Sequence, residues 1–414
     1  MPTEPSGDNR LAPEDLAVHS WYRFVLAYPP HLVRQYLERF ALAPGALVLD
    51  PFCGTGTTLV ECRKLGYAAL GVEANPVAHF ASGVKCDWSP DPQGLRDYAE
   101  EVSEIVRRLP DQSLRTLPPE RMALLLHNSV SPLPLHRVLC IYQAIANWPF
   151  LSYMPHALLA LARVLVEIAS NLRFGPEVGL GTIKQDAPVE AAWRLAMLAM
   201  ADDLEELPSG RPVVAVVLAD ARDLPSHWQG PAVQAVITSP PYPNEKDYSR
   251  TTRLESVVLG FTPDKQTLQA QKRTFLRSNT RGMYTSDTDD LAVQDEPEVQ
   301  RLAQTIELRR LQLGKTSGFE RRYARLVQLY FGGMARHLAG LRGMLAPGAR
   351  LAYVVGDQAS YLQVMIRTGQ ITAQIAERLG YQVEGIDLFR TRAATATRAL
   401  LREEVVVLRW PGPS

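Results

Sequence analysis

The residues best suited to chemistry in this 414-residue chain form one hexapeptide, Ile237-Thr238-Ser239-Pro240-Pro241-Tyr242. It closes an apolar run, Ala235-Val236-Ile237, which predicts a loop leaving a buried parallel strand. In open α/β sheets, ligands bind at the carboxyl ends of the strands. Two successive prolines fix φ and remove two amide donors, leaving a stiff rim of bare carbonyls. Carbonyls, one hydroxyl (Ser239) and one ring (Tyr242) suit a planar ring that carries an exocyclic amine. The amine hydrogens would meet the oxygens while the ring stacks on Tyr242. Taken alone, Pro-Pro-Tyr reads as a turn.

It does not stand alone. Upstream lies Val48-Leu49-Asp50-Pro51-Phe52-Cys53-Gly54-Thr55-Gly56-Thr57-Thr58. Gly54 and Gly56 let the backbone bend sharply and approach a ligand where a β-carbon would collide. The helix start at Thr57 and Thr58 points free amides at a carboxylate. A Walker phosphate loop is excluded, because no Lys stands at its Gly-Lys-Ser/Thr position, and the third glycine of a dinucleotide fingerprint is missing. Seventeen residues past Gly56, a second strand (68–72) ends in Glu73-Ala74-Asn75-Pro76. An acid there can accept from both hydroxyls of a ribose, its other common use being a helix cap.

Together the two motifs resemble those of the amino-methylating DNA methyltransferases, S-adenosylmethionine (SAM) enzymes that modify the exocyclic nitrogen of cytosine or adenine. The resemblance covers residues 20–90, 211–262 and 330–410. It implies a Rossmann-like α/β fold, a mostly parallel sheet with an antiparallel last strand, here carrying a helical insertion. It implies SAM as cofactor. Asp50 would accept from the ammonium, Phe52 would cover the ligand, and Cys53, Gly54, Thr55, Gly56, Thr57 and Thr58 would form its loop. Glu73 and Ala74 would face the ribose, Asp220 and Ala221 the adenine, and Tyr28 and Pro29 the methionine end. Ser239, Pro240, Pro241 and Tyr242 become the catalytic motif.

A serine before Pro-Pro-Tyr, in place of an acid, is similar to the cytosine-N4 enzymes more than to the adenine-N6 ones. The expected function is therefore site-specific methylation of cytosine N4 in DNA. Adenine-N6 methylation, RNA amine methylation and a non-catalytic SAM- and DNA-binding regulator are the alternatives. Double-stranded DNA is the implied partner, with a cognate restriction endonuclease beside it, and the cytoplasm the implied location.

The remaining sequence must position these motifs. A helix expected within 21–40 carries Leu32, Val33, Tyr36, Leu37 and Phe40 on one face. Residues 1–18 are polar and Pro-rich and read as a frayed terminus. Residues 1–90 form the N-terminal segment and cofactor-binding half. From 91 to 210 the strand signal vanishes and apolar residues recur at helical spacing, a helical insertion. Residues 211–262 hold the third strand (213–218), ending in Asp220, and the catalytic motif. There Asp223 reads as a turn cap. Residues 263–328 read as basic, DNA-contacting loops, and 329–414 complete the domain, with 404–409 as an antiparallel edge strand.

Charge supports local contact with DNA. The formal total is zero, which argues against a protein that coats nucleic acid. Residues 246–281 nevertheless hold eight Lys/Arg against three acids, and 301–325 seven against two. An acidic knot, 287–298, separates them. Arg250 and Arg253 are the expected phosphate contacts. Cys53, Cys62, Cys86 and Cys140 have no metal spacing and none follows proline, which removes a cysteine-nucleophile route to carbon methylation. His127, His136 and His156 read as structural, so no metal is expected. No run of about 18 apolar residues occurs and residues 1–10 are polar, so neither a membrane span nor a signal peptide is expected.

Overall fold

The computed structural model describes residues 11–22, 27–109, 113–148, 150, 152–174, 177–208, 210, 212–225, 228–393 and 400–413. Nine strands occur among them: β1 (Leu47–Asp50), β2 (Ala68–Glu73), β3 (Leu172–Phe174), β4 (Val178–Leu180), β5 (Val214–Leu218), β6 (Val233–Thr238), β7 (Leu345–Gly356), β8 (Gln382–Ala393) and β9 (Leu400–Arg409). Seven make one sheet in the order β5-β2-β1-β6-β7-β9-β8. β5 through β7 run parallel, and β9 is antiparallel to both of its neighbours. This is the Rossmann-like arrangement. The chain leaves β1 for β2 on one side and later returns to β6 on the other, so the loops after β1 and β6 diverge at a topological switch point.

The period of two sorts the strand side chains onto the two faces. Val48, Ala235, Ile237, Ala352, Val354, Val405 and Val407 pack on one face, with the helix Pro30–Phe40 and the insertion. Leu49, Val236, Leu351, Tyr353, Val355, Val406 and Leu408 pack on the other, under the helix Tyr323–Leu341.

The last strand is antiparallel as expected, but it is not the edge. β9 lies between β7 and β8. Val405, Val406, Val407 and Leu408 are at most 1% exposed, a continuous apolar run that needs cover on both faces. β8 has a single buried residue, Phe389, and carries Glu384, Asp387, Arg390 and Arg392, a composition an edge tolerates.

Residues 91–210 are helical, as Pro92–Arg107, Pro132–Asn147, Met154–Val164 and Val189–Glu206, with a β3–β4 hairpin that periodicity did not signal. The frayed terminus is corrected from Leu11 onward, and residues 1–10 lie outside the described residues. Asp15 is buried and takes two bonds from Arg34, while Val18 is fully buried and donates its amide to Asp203. Fixing this segment serves those partners.

Residues 263–328 are not loops. They contain the helices Lys265–Arg273 and Pro297–Gln312 and dock on Tyr323–Leu341. A β-carbon on Gly332 would fall 1.9 Å from the Asp289 carbonyl oxygen, so only glycine lets the backbones meet there. The acidic knot is counter-charge to part of the basic runs, as Arg277 pairs with Asp287, Arg325 with Asp290 and Arg301 with Glu298, and it also takes Arg222 from outside them through Asp289. Two of these pairs, Arg277–Asp287 and Arg222–Asp289, are buried. Composition counted cations that the fold neutralises internally.

Candidate active site

The loops leaving β1, β2, β5 and β6 surround a cavity of about 270 Å³. Phe52, Cys53, Gly54, Thr55 and Thr57 form one wall, with Glu73, Ala74, Asp220 and Ala221 beside them. Ser239, Pro240, Pro241 and Tyr242 form the opposing wall, and Tyr28 lies at one end. Residues as far apart in sequence as Tyr28 and Tyr242 thus share one chamber because parallel strands end at one edge.

Gly54 and Gly56 take φ of +52° and +86°. At Gly56 a β-carbon would also come within 3.0 Å of Ser82. The turn lets the Gly54 amide donate to Glu73 Oε2 and the Asn75 amide to Oε1, each at 2.7 Å. Glu73 is pushed up to about 7 by burial, with the two amides opposing that rise. Its carboxylate lines the cavity at a fixed angle.

Asp50, Gly56, Thr58 and Pro29 do not reach the cavity surface. Asp50 is fully buried and accepts from Thr238 Oγ1 (2.6 Å), Tyr28 OH (3.0 Å) and the Phe52 amide (3.1 Å). Burial pushes it up to about 6. Three internal donors occupy the carboxylate expected to meet an ammonium, and Asp50 instead ties the glycine loop to β6. Thr58 reinforces the tie, donating to the Ile237 carbonyl at 3.1 Å and contacting the Tyr28 hydroxyl. Pro29 faces a neighbouring cavity lined also by Tyr22 and Glu255.

Asp220 lines the chamber while Arg222 donates to it through Nε (2.9 Å) and Nη2 (2.6 Å). The Ala221 carbonyl accepts from His337 Nδ1 at 2.8 Å, which leaves His337 Nε2 to accept from Tyr353 OH at 2.7 Å. Burial lowers His337 to about 4, so it is neutral, and it holds Phe52 edge-on at 4.9 Å between centroids. Asp223 does not cap a turn through its side chain; it pairs with Arg336 at 2.5 Å.

Ser239 donates its hydroxyl to the Val354 carbonyl at 3.1 Å. A carbonyl can only accept, so the hydroxyl proton is committed and Ser239 Oγ keeps acceptor capacity, with the Tyr242 hydroxyl also within its reach. The Tyr242 amide donates to Tyr248 OH at 3.1 Å, and the ring lies over Gly356, where a β-carbon would come within 2.9 Å of Cε2. Burial raises the Tyr242 phenol, so it stays protonated.

The arrangement gives one chamber with a glycine loop and acids on one side and neutral acceptors beside an aromatic ring on the other. The family model described as "DNA methylase" matches residues 14–81. Type II methyltransferase M.BsoBI of Geobacillus stearothermophilus is 23% identical over 442 residues, taking in 96% of this chain and 85% of that protein. The chain is thus similar to the amino-methylating DNA methyltransferases. Type II methyltransferase M.AvaI of a Nostoc species is 22% identical over 441 residues, covering 95% and 86%. Among solved structures, a SAM-dependent methyltransferase from Methanosarcina mazei is 8% identical, covers 91% of this chain and 98% of its own, and aligns with a TM-score of 0.31. The cofactor of this methyltransferase is SAM.

Two further groups in this methyltransferase's chamber escaped the sequence reading. Phe275, Leu276, Ser278 and Asn279 come from the segment expected as DNA-contacting loops. Phe389, Arg390 and Glu403 come from the C-terminal strands β8 and β9. No local motif marks either group. Arg250 and Arg253 lie outside the chamber. Arg253 donates to Ser249 Oγ at 2.8 Å, and Arg250 has no ion pair among the described residues.

Proposed function

We propose that this protein transfers the methyl group of SAM to the exocyclic N4 of a cytosine flipped out of double-stranded DNA. The observation that carries the reading is Ser239, an uncharged acceptor whose proton is already given to Val354. An exocyclic amine is a weak nucleophile because its lone pair is delocalised into the ring. Ser239 Oγ and the Pro240 carbonyl take the amine hydrogens, which favours a pyramidal nitrogen and frees that lone pair. Bound SAM supplies the methyl group, which leaves sulfur for the nitrogen, and the surplus amine proton goes to water. The chain's own contribution is positioning, which lowers barriers by holding reactants in line.

Glu73 and Asp220 would hold the ribose and adenine of the cofactor, with Phe52 and Tyr28 the residues that would contact its remainder. The base leaves the duplex to enter the chamber, and stacking on Tyr242 offsets the lost stacking. The curated relatives are named as type II methyltransferases, so a restriction endonuclease of the same specificity is the partner we infer. Arg250 is the phosphate contact we favour, being without an ion pair among the described residues. Among the described residues no helix is long and apolar enough to cross a membrane, and the cytoplasm is the site of action we infer.

Expression in a host free of endogenous DNA methylation, followed by sequencing that reads polymerase kinetics, tests this. N4-methylcytosine at one recurring sequence is the expected result. N6-methyladenine there would move the function to the runner-up, and an unmodified genome would point to RNA or to a regulatory role.

A further inference from the structure

One level of residues crosses three strands beside Tyr242. Gly356 of β7 pairs with Glu403 of β9, and Glu403 pairs with Arg390 of β8. Tyr242 covers Gly356, so this row extends outward from the catalytic ring at about 4.8 Å per strand. Consecutive strand residues point to opposite faces, yet Phe389 and Arg390 both line the chamber. The register of β8 against β9 shifts between Leu388 and Arg390. A bulge of this kind inserts an unpaired residue, here Phe389, and re-aims its neighbours.

The bulge turns a guanidinium toward the chamber and Glu403 fixes it. Glu403 is 8% exposed, and its Oε2 accepts from Arg390 Nε at 2.6 Å. Oε1 of the same carboxylate lies 3.4 Å from Arg392 Nε. Nη1 and Nη2 of Arg390 have no hydrogen-bond partner among the described residues. A guanidinium anchored through Nε presents its terminal nitrogens as a fork of two donors in one plane.

We propose that Arg390 reads the target base, donating from Nη1 and Nη2 to N3 and O2 of cytosine while the amine faces Ser239 and Pro240. This rests on the cytosine reading above. Cytosine carries two adjacent acceptors next to its amine. Adenine carries N1 alone and then a C–H, so the same fork would leave one donor unmatched. Arg390 is thus the residue that separates the two bases, and Glu403 is its positioning residue.

The test uses the full-length protein and a duplex containing its mapped site. The target carries either cytosine or 3-deazacytosine, which has C–H in place of N3. Wild type and Arg390→Ala are compared by kcat/KM on both duplexes, with the SAM Kd as the check on folding. We expect Arg390→Ala to lose roughly 10- to 100-fold on cytosine, the worth of a bidentate contact, with the SAM Kd unchanged. The intrinsic reactivity of the analogue is common to both enzymes and cancels in their ratio. The analogue should therefore penalise wild type at least about fivefold more than Arg390→Ala. Equal penalties, or an undiminished kcat/KM in Arg390→Ala, would overturn the assignment. Should Arg390→Ala lose SAM binding, Arg390→Lys is measured instead: a single donor should halve the advantage of cytosine on a logarithmic scale, and an unchanged advantage overturns the proposal. Methyladenine from wild type would defeat the cytosine reading itself. Methylcytosine with equal penalties defeats only the role of Arg390.

Discussion

Replacing Gly356 with alanine would move the catalytic ring without touching the ring or the cofactor wall. Gly356 has no positive φ and sits in β7, so the backbone there accepts an L-residue. The added β-carbon would lie 2.9 Å from Tyr242 Cε2 and 3.3 Å from Cδ2. Carbon atoms rest at about 3.5–4.0 Å, so the ring must retreat by about 0.6–1 Å. A displacement of about 1 Å in a positioned group can cost about 10²-fold in rate. Overpacking of this size lowers stability by about 1–3 kcal/mol. Gly356→Ala should therefore stay folded, keep its SAM Kd within about threefold, less than 1 kcal/mol, and lose about 10²-fold in kcat. Single-turnover methyl transfer at saturating SAM and DNA measures that loss, with titration calorimetry for SAM. An unchanged kcat would mean that the position of Tyr242 does not matter. A loss of SAM binding as large as the loss of rate would mean that the two walls are not independent.

Two further predictions follow from the buried carboxyls. Glu73 is pushed up to about 7, and the ionised form is the one that accepts from hydroxyls while taking the Gly54 and Asn75 amides. The ionised fraction is then about one-eleventh at pH 6 and ten-elevenths at pH 8, so SAM binding should weaken about tenfold between pH 8 and 6. Glu73→Gln should remove that slope, and a slope that persists would assign it elsewhere. Thr238→Val removes a donor from Asp50 and should cost about 2 kcal/mol, the worth of a hydrogen bond to a charged group. Asp50 titrates at about 6 when folded, above its unfolded value of about 3.9, so its burial penalty grows as pH rises from about 4 to 6 and is fully present above 6. Losing a donor to the ionised form widens that gap, so the destabilisation should be full at pH 8 and reduced at pH 5 in urea unfolding. Equal values at both pH would show that Asp50 is not the partner that matters.

What was legible in the sequence was local. The glycine loop, Glu73, Asp220 and Ser239–Tyr242 each follow a strand directly, so sequence position and place in the chamber are linked by a few residues of loop. Asp50 misled for the same reason. It ends β1 as an acid should, but Tyr28 and Thr238, 22 and 188 positions away, occupy its oxygens. The order of β8 and β9 depended on which run was buried on both faces, visible in Val405–Leu408 only when weighed against the charged β8. Arg390 and Glu403 could not be found by period, because a bulge breaks the alternation where they enter the site. Residues 263–328 looked like free cations because Arg277 and Asp287, or Arg325 and Asp290, pair only after folding.

Nucleoside analysis of DNA methylated in vitro tests the central claim most directly. Purified protein, labelled SAM and mixed-sequence duplex DNA would be incubated, digested to nucleosides and resolved by mass spectrometry, with Ser239→Ala and Tyr242→Ala in parallel. The account predicts label in N4-methylcytosine, with both variants retaining SAM and losing most of the transfer. Label in N6-methyladenine, or transfer that survives in both variants, would contradict it.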